Sequence, residues 1–151
     1  MPNGSTCIIL FAHGARDARW SQTLIDLRQR VAQRRPDADV RLAYLEFQPP
    51  ALDEVLLDAV AAGRGSIDLV PVFWASGGHV ANDLPPLLAA FRARHPQVSL
   101  QLLPVLSEMP GLLDLVADVA AGATRTVSGA TTGDAIDTTA APPGNAGKER
   151  P

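Results

Sequence analysis

Four strand-length apolar runs, each followed by a segment with apolar residues at helical spacing, constrain this chain more than any other feature. Cys7–Ala12 is the first continuous run, and Ala18–Arg34 then carries leucine, isoleucine and valine at helical spacing until Pro36 stops it. Val40–Phe47 reads as the second strand, Gln48-Pro49-Pro50 as a turn, and Ala51–Ala62 as an amphipathic helix ended by Gly63. Ile67–Trp74 is the third strand, although Pro71 within it removes a ladder hydrogen bond and prefers an edge or a bulge. Val80–Arg94 is helical in pattern, with Pro85 and Pro86 near its start, where missing N–H groups matter least. Val98–Pro104 gives the fourth strand, and a helix opening at Glu108 or Pro110 runs through Leu112, Leu113, Leu115, Val116 and Val119. This alternation predicts an α/β fold with three layers, α/β/α, around a four-stranded parallel sheet joined by right-handed crossovers.

A chain of 151 residues with 46% apolar side chains makes one domain with a sizeable core. From Gly122 onward the composition turns to alanine, threonine, glycine, proline and serine, too poor in large apolar side chains to offset the entropy of ordering. The expected organisation is a folded domain over residues 1–121 and a disordered tail over residues 122–151. A formal charge of −3 offers no broad basic surface for phosphates, which sets nucleic acid aside as a partner. Cys7 is the sole cysteine and cannot form an internal disulfide, so it reads as a small buried hydrophobe in a reducing cytoplasm. The chain opens without a charged leader, and no run approaches the roughly 18 to 20 apolar residues that span a bilayer. A soluble, unexported protein with no membrane partner is expected.

Two histidines stand out against this background. His13, in Ala12-His13-Gly14-Ala15-Arg16-Asp17, and His79, in Ser76-Gly77-Gly78-His79-Val80, each follow the end of an apolar run beside glycine. Open parallel sheets present their working groups just beyond the carboxyl ends of the strands, so two such imidazoles can face one ligand.

Taken together, these pieces resemble the small CbiX-type sirohydrochlorin chelatases, relatives of the class II tetrapyrrole chelatases that include ferrochelatase. The resemblance spans about Ile8 to Ala121. It rests on His13 to Asp17, on Tyr44-Leu45-Glu46 followed by Pro49 and Pro50, on Val70-Pro71-Val72-Phe73, and on Gly78-His79-Val80 with Asp83-Leu84-Pro85. It implies a chelatase-like half-lobe with flavodoxin-like winding and strand order 2-1-3-4. It also implies insertion of cobalt, nickel or iron into sirohydrochlorin on the way to cobalamin or siroheme, with His13 and His79 as the metal-handling pair. Short relatives pair as homodimers to complete a cleft, and the resemblance implies the same here. The chain departs from the pattern at Ala15, where relatives usually carry serine, and at Ser107-Glu108, where a glycine is common.

The residues suit that chemistry. Metal insertion needs a weak, open set of protein ligands and a base for the pyrrole protons, and neutral imidazole supplies both. With one cysteine a closed thiolate cage is impossible, so the metal is expected as a substrate and no permanent cofactor is called for. Glu46, at the same sheet end as His13, either ligates the metal, orients an imidazole, accepts a proton, or is simply a solvated or capping acid before Pro49. Arg16 is either an exposed helix-start residue or a cation that pairs with a carboxylate of the macrocycle, while Asp17 is read as a helix cap. Trp74 is a packing residue or a flat face for the ring, and Gly77 and Gly78 serve close approach or positive φ.

Rival readings fit less well. A histidine-phosphatase site needs an arginine before its nucleophilic histidine, and Ala12 stands there. Trp74-Ala75-Ser76-Gly77-Gly78 lacks the spaced glycines of a nucleophile elbow. A non-catalytic metal or tetrapyrrole carrier on the same scaffold is the stronger alternative, because fold and ligands alone do not prove turnover.

Overall fold

Each apolar run becomes one strand of a single parallel sheet in the computed structural model, which describes residues 5–122. The strands are β1 (Thr6–Ala12), β2 (Asp39–Tyr44), β3 (Ser66–Pro71) and β4 (Ser99–Leu102), and the helices are α1 (Ala18–Arg34), α2 (Leu52–Ala61), α3 (Gly78–Arg94) and α4 (Leu112–Ala120). The sheet order is β2-β1-β3-β4, all parallel, which is the 2-1-3-4 winding expected. The expected tail lies outside the described residues except for Gly122.

Side chains of β1 alternate between two cores, as the twofold repeat of a strand requires. Cys7, Ile9 and Phe11 pack with Ile67 and Leu69 of β3 against α2 and α3, through Leu56, Leu84, Leu88 and their neighbours. Ile8 and Leu10 point the other way and pack with Leu24 of α1 and Tyr44. Cys7 is fully buried, and that burial, followed by the nearby Asp39 carboxylate, pushes its thiol up to about 11, so it is a core residue and no nucleophile.

Several boundaries shift from the sequence reading, each for a local reason. β2 stops at Tyr44 rather than Phe47 because the consecutive Leu45 and Glu46 N–H groups both turn to the β1 exit, to the Ala12 (2.9 Å) and His13 (3.0 Å) carbonyls, which breaks the strand's alternation, and Phe47 takes φ of 68°, outside the extended region. β3 stops at Pro71 rather than Trp74, so the proline takes the last position of its strand instead of an interior one. Gly63, with φ of 72°, ends α2 as read, its N–H donating to the Val60 carbonyl (2.9 Å). α3 begins at Gly78, two residues before Val80, which puts Pro85 and Pro86 inside the helix rather than in its first turn. Their missing N–H groups leave the Ala81 and Asn82 carbonyls without helical donors, and both of those residues are exposed to water. α4 differs from the other helices: it packs chiefly on the 3-10 turn Leu106–Glu108 and buries none of its residues.

Candidate active site

The loops that leave the carboxyl ends of the strands are joined side by side. His13 follows β1, and its carbonyl accepts the N–H of Glu46 (3.0 Å) in the loop after β2. The His13 ring lies 5.1 Å, centroid to centroid, from Phe73 in the loop after β3. The Phe73 and Trp74 carbonyls in turn accept the N–H groups of Leu106 (3.1 Å) and Ser107 (3.0 Å) from the loop after β4. These links form one rim, with the His13 imidazole exposed on it.

Two features hold the first two loops together. Gly14 has φ of 88°, and a Cβ there would stand 2.1 Å from the Glu46 carbonyl oxygen, so only glycine permits this approach. Next to it the Ala15 N–H donates to Gln48 Oε1 (3.2 Å), and the same carboxamide meets Ser21 Oγ of α1 at 3.2 Å from Oε1 and 3.0 Å from Nε2. Neither Gln48 nor Ser21 has a signal in the sequence. They lie 27 residues apart, and each reads alone as an ordinary polar residue near a helix or turn.

The charged residues take distinct places. The Arg16 guanidinium sits 5.2 Å over the centre of the Phe47 ring, a cation–π contact that leaves its edge donors free for an anion. Asp17 caps α1 as expected, accepting the Arg19 N–H (2.9 Å), and the Arg19 side chain holds its carboxyl below the usual carboxylate range. Glu46 does not close β2 but lies exposed two residues past it, and its observed link to His13 is through the backbone.

Between α1 and the sheet, beside this rim, lies a cleft of about 610 Å³, a size typical of small-molecule sites. Leu24, Leu27, Tyr44 and Val72 form apolar wall, and Gln48 and His13 supply polar groups. Trp74 stands on the rim, 52% exposed. Gly77, with φ of −72°, precedes α3 and Gly78 opens it; neither needs positive φ, and a Cβ at either would meet open space. His79 is the second residue of α3, which follows the strand beside β1. Among the described residues no group of three or more His, Cys, Asp or Glu is arranged to hold a metal ion. No helix among them is long and apolar enough to cross a membrane.

Known proteins resemble this chain in sequence and in fold. The sirohydrochlorin cobaltochelatase of Methanocaldococcus jannaschii is 31% identical over 88 residues, which is 58% of this chain and 62% of that protein. This chain thus spans less than two-thirds of that relative's length. A solved CbiX protein of Marinobacter aquaeolei VT8, named for cobalamin (vitamin B12) biosynthesis, superposes with a TM-score of 0.64 at 32% identity, over 78% of this chain and 95% of its own. The sirohydrochlorin chelatase SirB of Bacillus subtilis subspecies spizizenii, solved in complex with cobalt, shares the fold with a TM-score of 0.63 at 19% identity, over 78% of this chain and 50% of SirB. The CbiX family profile matches residues 7–123, from the first strand through the last helix, and the chain belongs to the CbiX family.

Proposed function

We propose that this protein inserts a divalent metal ion, Co²⁺ in first place and Ni²⁺ or Fe²⁺ as alternatives, into sirohydrochlorin. The observation that carries the reading is the exposed His13 imidazole beside an apolar-walled cleft at the carboxyl end of a CbiX-family sheet. The metal is a substrate that must be released into the ring, so neutral nitrogen donors with open coordination positions suit it better than a closed thiolate set. His13 and His79 hold the incoming ion. As the ring nitrogens displace them, the pyrrole protons pass to a freed imidazole or to the Glu46 carboxylate and then to water.

The remaining residues bind the macrocycle. Arg16, braced on Phe47, pairs with a peripheral carboxylate, and Trp74 offers a ring face. Gly77 and Gly78 leave room for the edge of the ring. The working form is a homodimer. The exposed Leu113, Val116 and Val119 of α4 support a partner surface. The sole cysteine, Cys7, suits a reducing cytoplasm.

The test is the anaerobic absorbance change of sirohydrochlorin with each metal, using wild type beside His13→Ala and His79→Ala. Wild type should exceed the enzyme-free rate, each variant should lose about a hundredfold or more, and light scattering should give twice the chain mass. Tight binding of macrocycle or metal without incorporation above the spontaneous rate would instead establish a carrier.

A further inference from the structure

We propose that Gln48 is a positioning residue for His13, acting through the backbone of the loop that carries it; the inference rests on the reading of His13 as a metal-handling group. Residues 13–15 are gripped at both ends by one short stretch of the loop after β2. Glu46 N–H donates to the His13 carbonyl (3.0 Å) at one end, and Gln48 Oε1 accepts the Ala15 N–H (3.2 Å) at the other. Gly14 lies between these bonds, packed so tightly on the Glu46 carbonyl that a side chain there would overlap it. The imidazole therefore projects from a three-residue arch whose two feet stand on residues 46 and 48.

A carboxamide fits this place for a chemical reason. The Ala15 N–H is a donor only, so the oxygen of the Gln48 amide must face it, which turns the NH₂ group toward Ser21 Oγ (3.0 Å). Gln48 thereby ties the His13 loop to α1 as well as to the loop after β2. It also borders the cleft, one of several residues along its wall. Loss of this grip frees the foot of the arch nearest the helix and lets His13 drift from the geometry that metal transfer requires.

The test compares Gln48→Met, similar in length without the hydrogen bonds, with Gln48→Glu, which keeps an acceptor for both the Ala15 N–H and the Ser21 hydroxyl. Gln48→Met should lower kcat for metal insertion about tenfold with KM for sirohydrochlorin within about twofold of wild type, and Gln48→Glu should restore most of kcat. The ring-proton NMR signal of His13, assigned by comparison with His13→Ala, should move or broaden in Gln48→Met and return in Gln48→Glu, a change that a loss of global stability alone does not produce. A His13 signal and kcat unchanged in Gln48→Met, or a Gln48→Glu variant as impaired as Gln48→Met, would overturn the proposal. Should the wild-type protein insert no metal at all, the functional reading fails, and the His13 signal still decides the role of Gln48.

Discussion

The two faces of the sheet differ in how completely they are closed. On the side of α2 and α3, Ile9, Phe11, Ile67 and Leu69 are at most 1% exposed and belong to one continuous core. On the other side α1 covers β1 and β2, while Val70 and Val72 of the neighbouring strand and its exit stay partly exposed. That side holds both the cleft of about 610 Å³ and a second groove of about 380 Å³, lined by Leu10, Val31, Val70, Leu103, Leu106 and Met109. One face supplies the rigid platform, and the other leaves the space that a ligand or a second subunit needs.

The largest expected effect tests this contrast directly. Leu56, 1% exposed in the closed core, should cost about 2–5 kcal/mol on truncation to alanine, because the lost burial adds to a cavity that its neighbours cannot fill. Leu27 lines the open cleft on α1 and is only partly buried, so Leu27→Ala should cost about 1 kcal/mol or less, the cavity being open already. Urea unfolding of the two variants measures both. Equal losses would show that the α1 face carries as much stability as the other and would break the comparison.

Gly14→Ala asks whether the open side contains a point as intolerant as the core. With φ of 88° and an added Cβ falling 2.1 Å from the Glu46 carbonyl oxygen, the loop must move, at about 1–3 kcal/mol for the strained conformation. Metal insertion should fall more than stability does, since the displaced segment carries His13. A fully active Gly14→Ala protein would mean that the arch need not be rigid.

The contrast between the faces also marks what can be read from the sequence. The strands, their parallel direction and the α1, α2 and α3 helices are legible, because alternating apolar runs and helical spacing report burial directly, while the strand order comes with the family resemblance. The exits of β2 and β3 are not. Leu45-Glu46-Phe47 continues an apolar-rich extended pattern, and what ends the strand is the φ of 68° at Phe47 and the turn of the consecutive Leu45 and Glu46 N–H groups to the β1 exit, invisible in composition. The start of α3 lies two residues ahead of its periodic pattern, and Gly77 and Gly78 carry no capping side chain to mark it, which hides that His79 lies inside the first turn. That α4 buries none of its residues among the described ones is equally hidden. Its stripe of leucine and valine looks like that of α2, since periodicity tells which side of a helix is apolar and not what lies against it. His13 and Glu46 can be placed at one sheet end from strand order alone, whereas the grip of Gln48 on Ala15 and Ser21 depends on tertiary approach.

The smallest effect concerns the edge of the closed face farthest from the rim. Asp39 opens β2 in register with Cys7, so its side chain points to the closed side, where it pairs with Arg41 (2.7 Å) and Arg64 (3.2 Å) while Arg64 also reaches Ser5. The Arg41 hydrogen bonds, with the charges of Arg41 and Arg64, hold the Asp39 carboxyl below the usual carboxylate range despite partial burial. A depressed folded-state value means that the stabilisation is fully present above the unfolded carboxylate range, near pH 4, and is lost as pH falls through the lower folded value. Asp39→Asn should therefore be less stable than wild type at neutral pH by about 1 kcal/mol, the usual scale for a partly solvated pair, and the gap should close as acid protonates the wild-type carboxylate. Metal insertion at neutral pH should be unaffected, because the cluster seals the amino-terminal edge of the sheet and the site occupies the opposite end. A stability gap that persists undiminished in acid would show that Asp39 acts through packing rather than charge, and the edge of the closed face would then be sealed by shape alone.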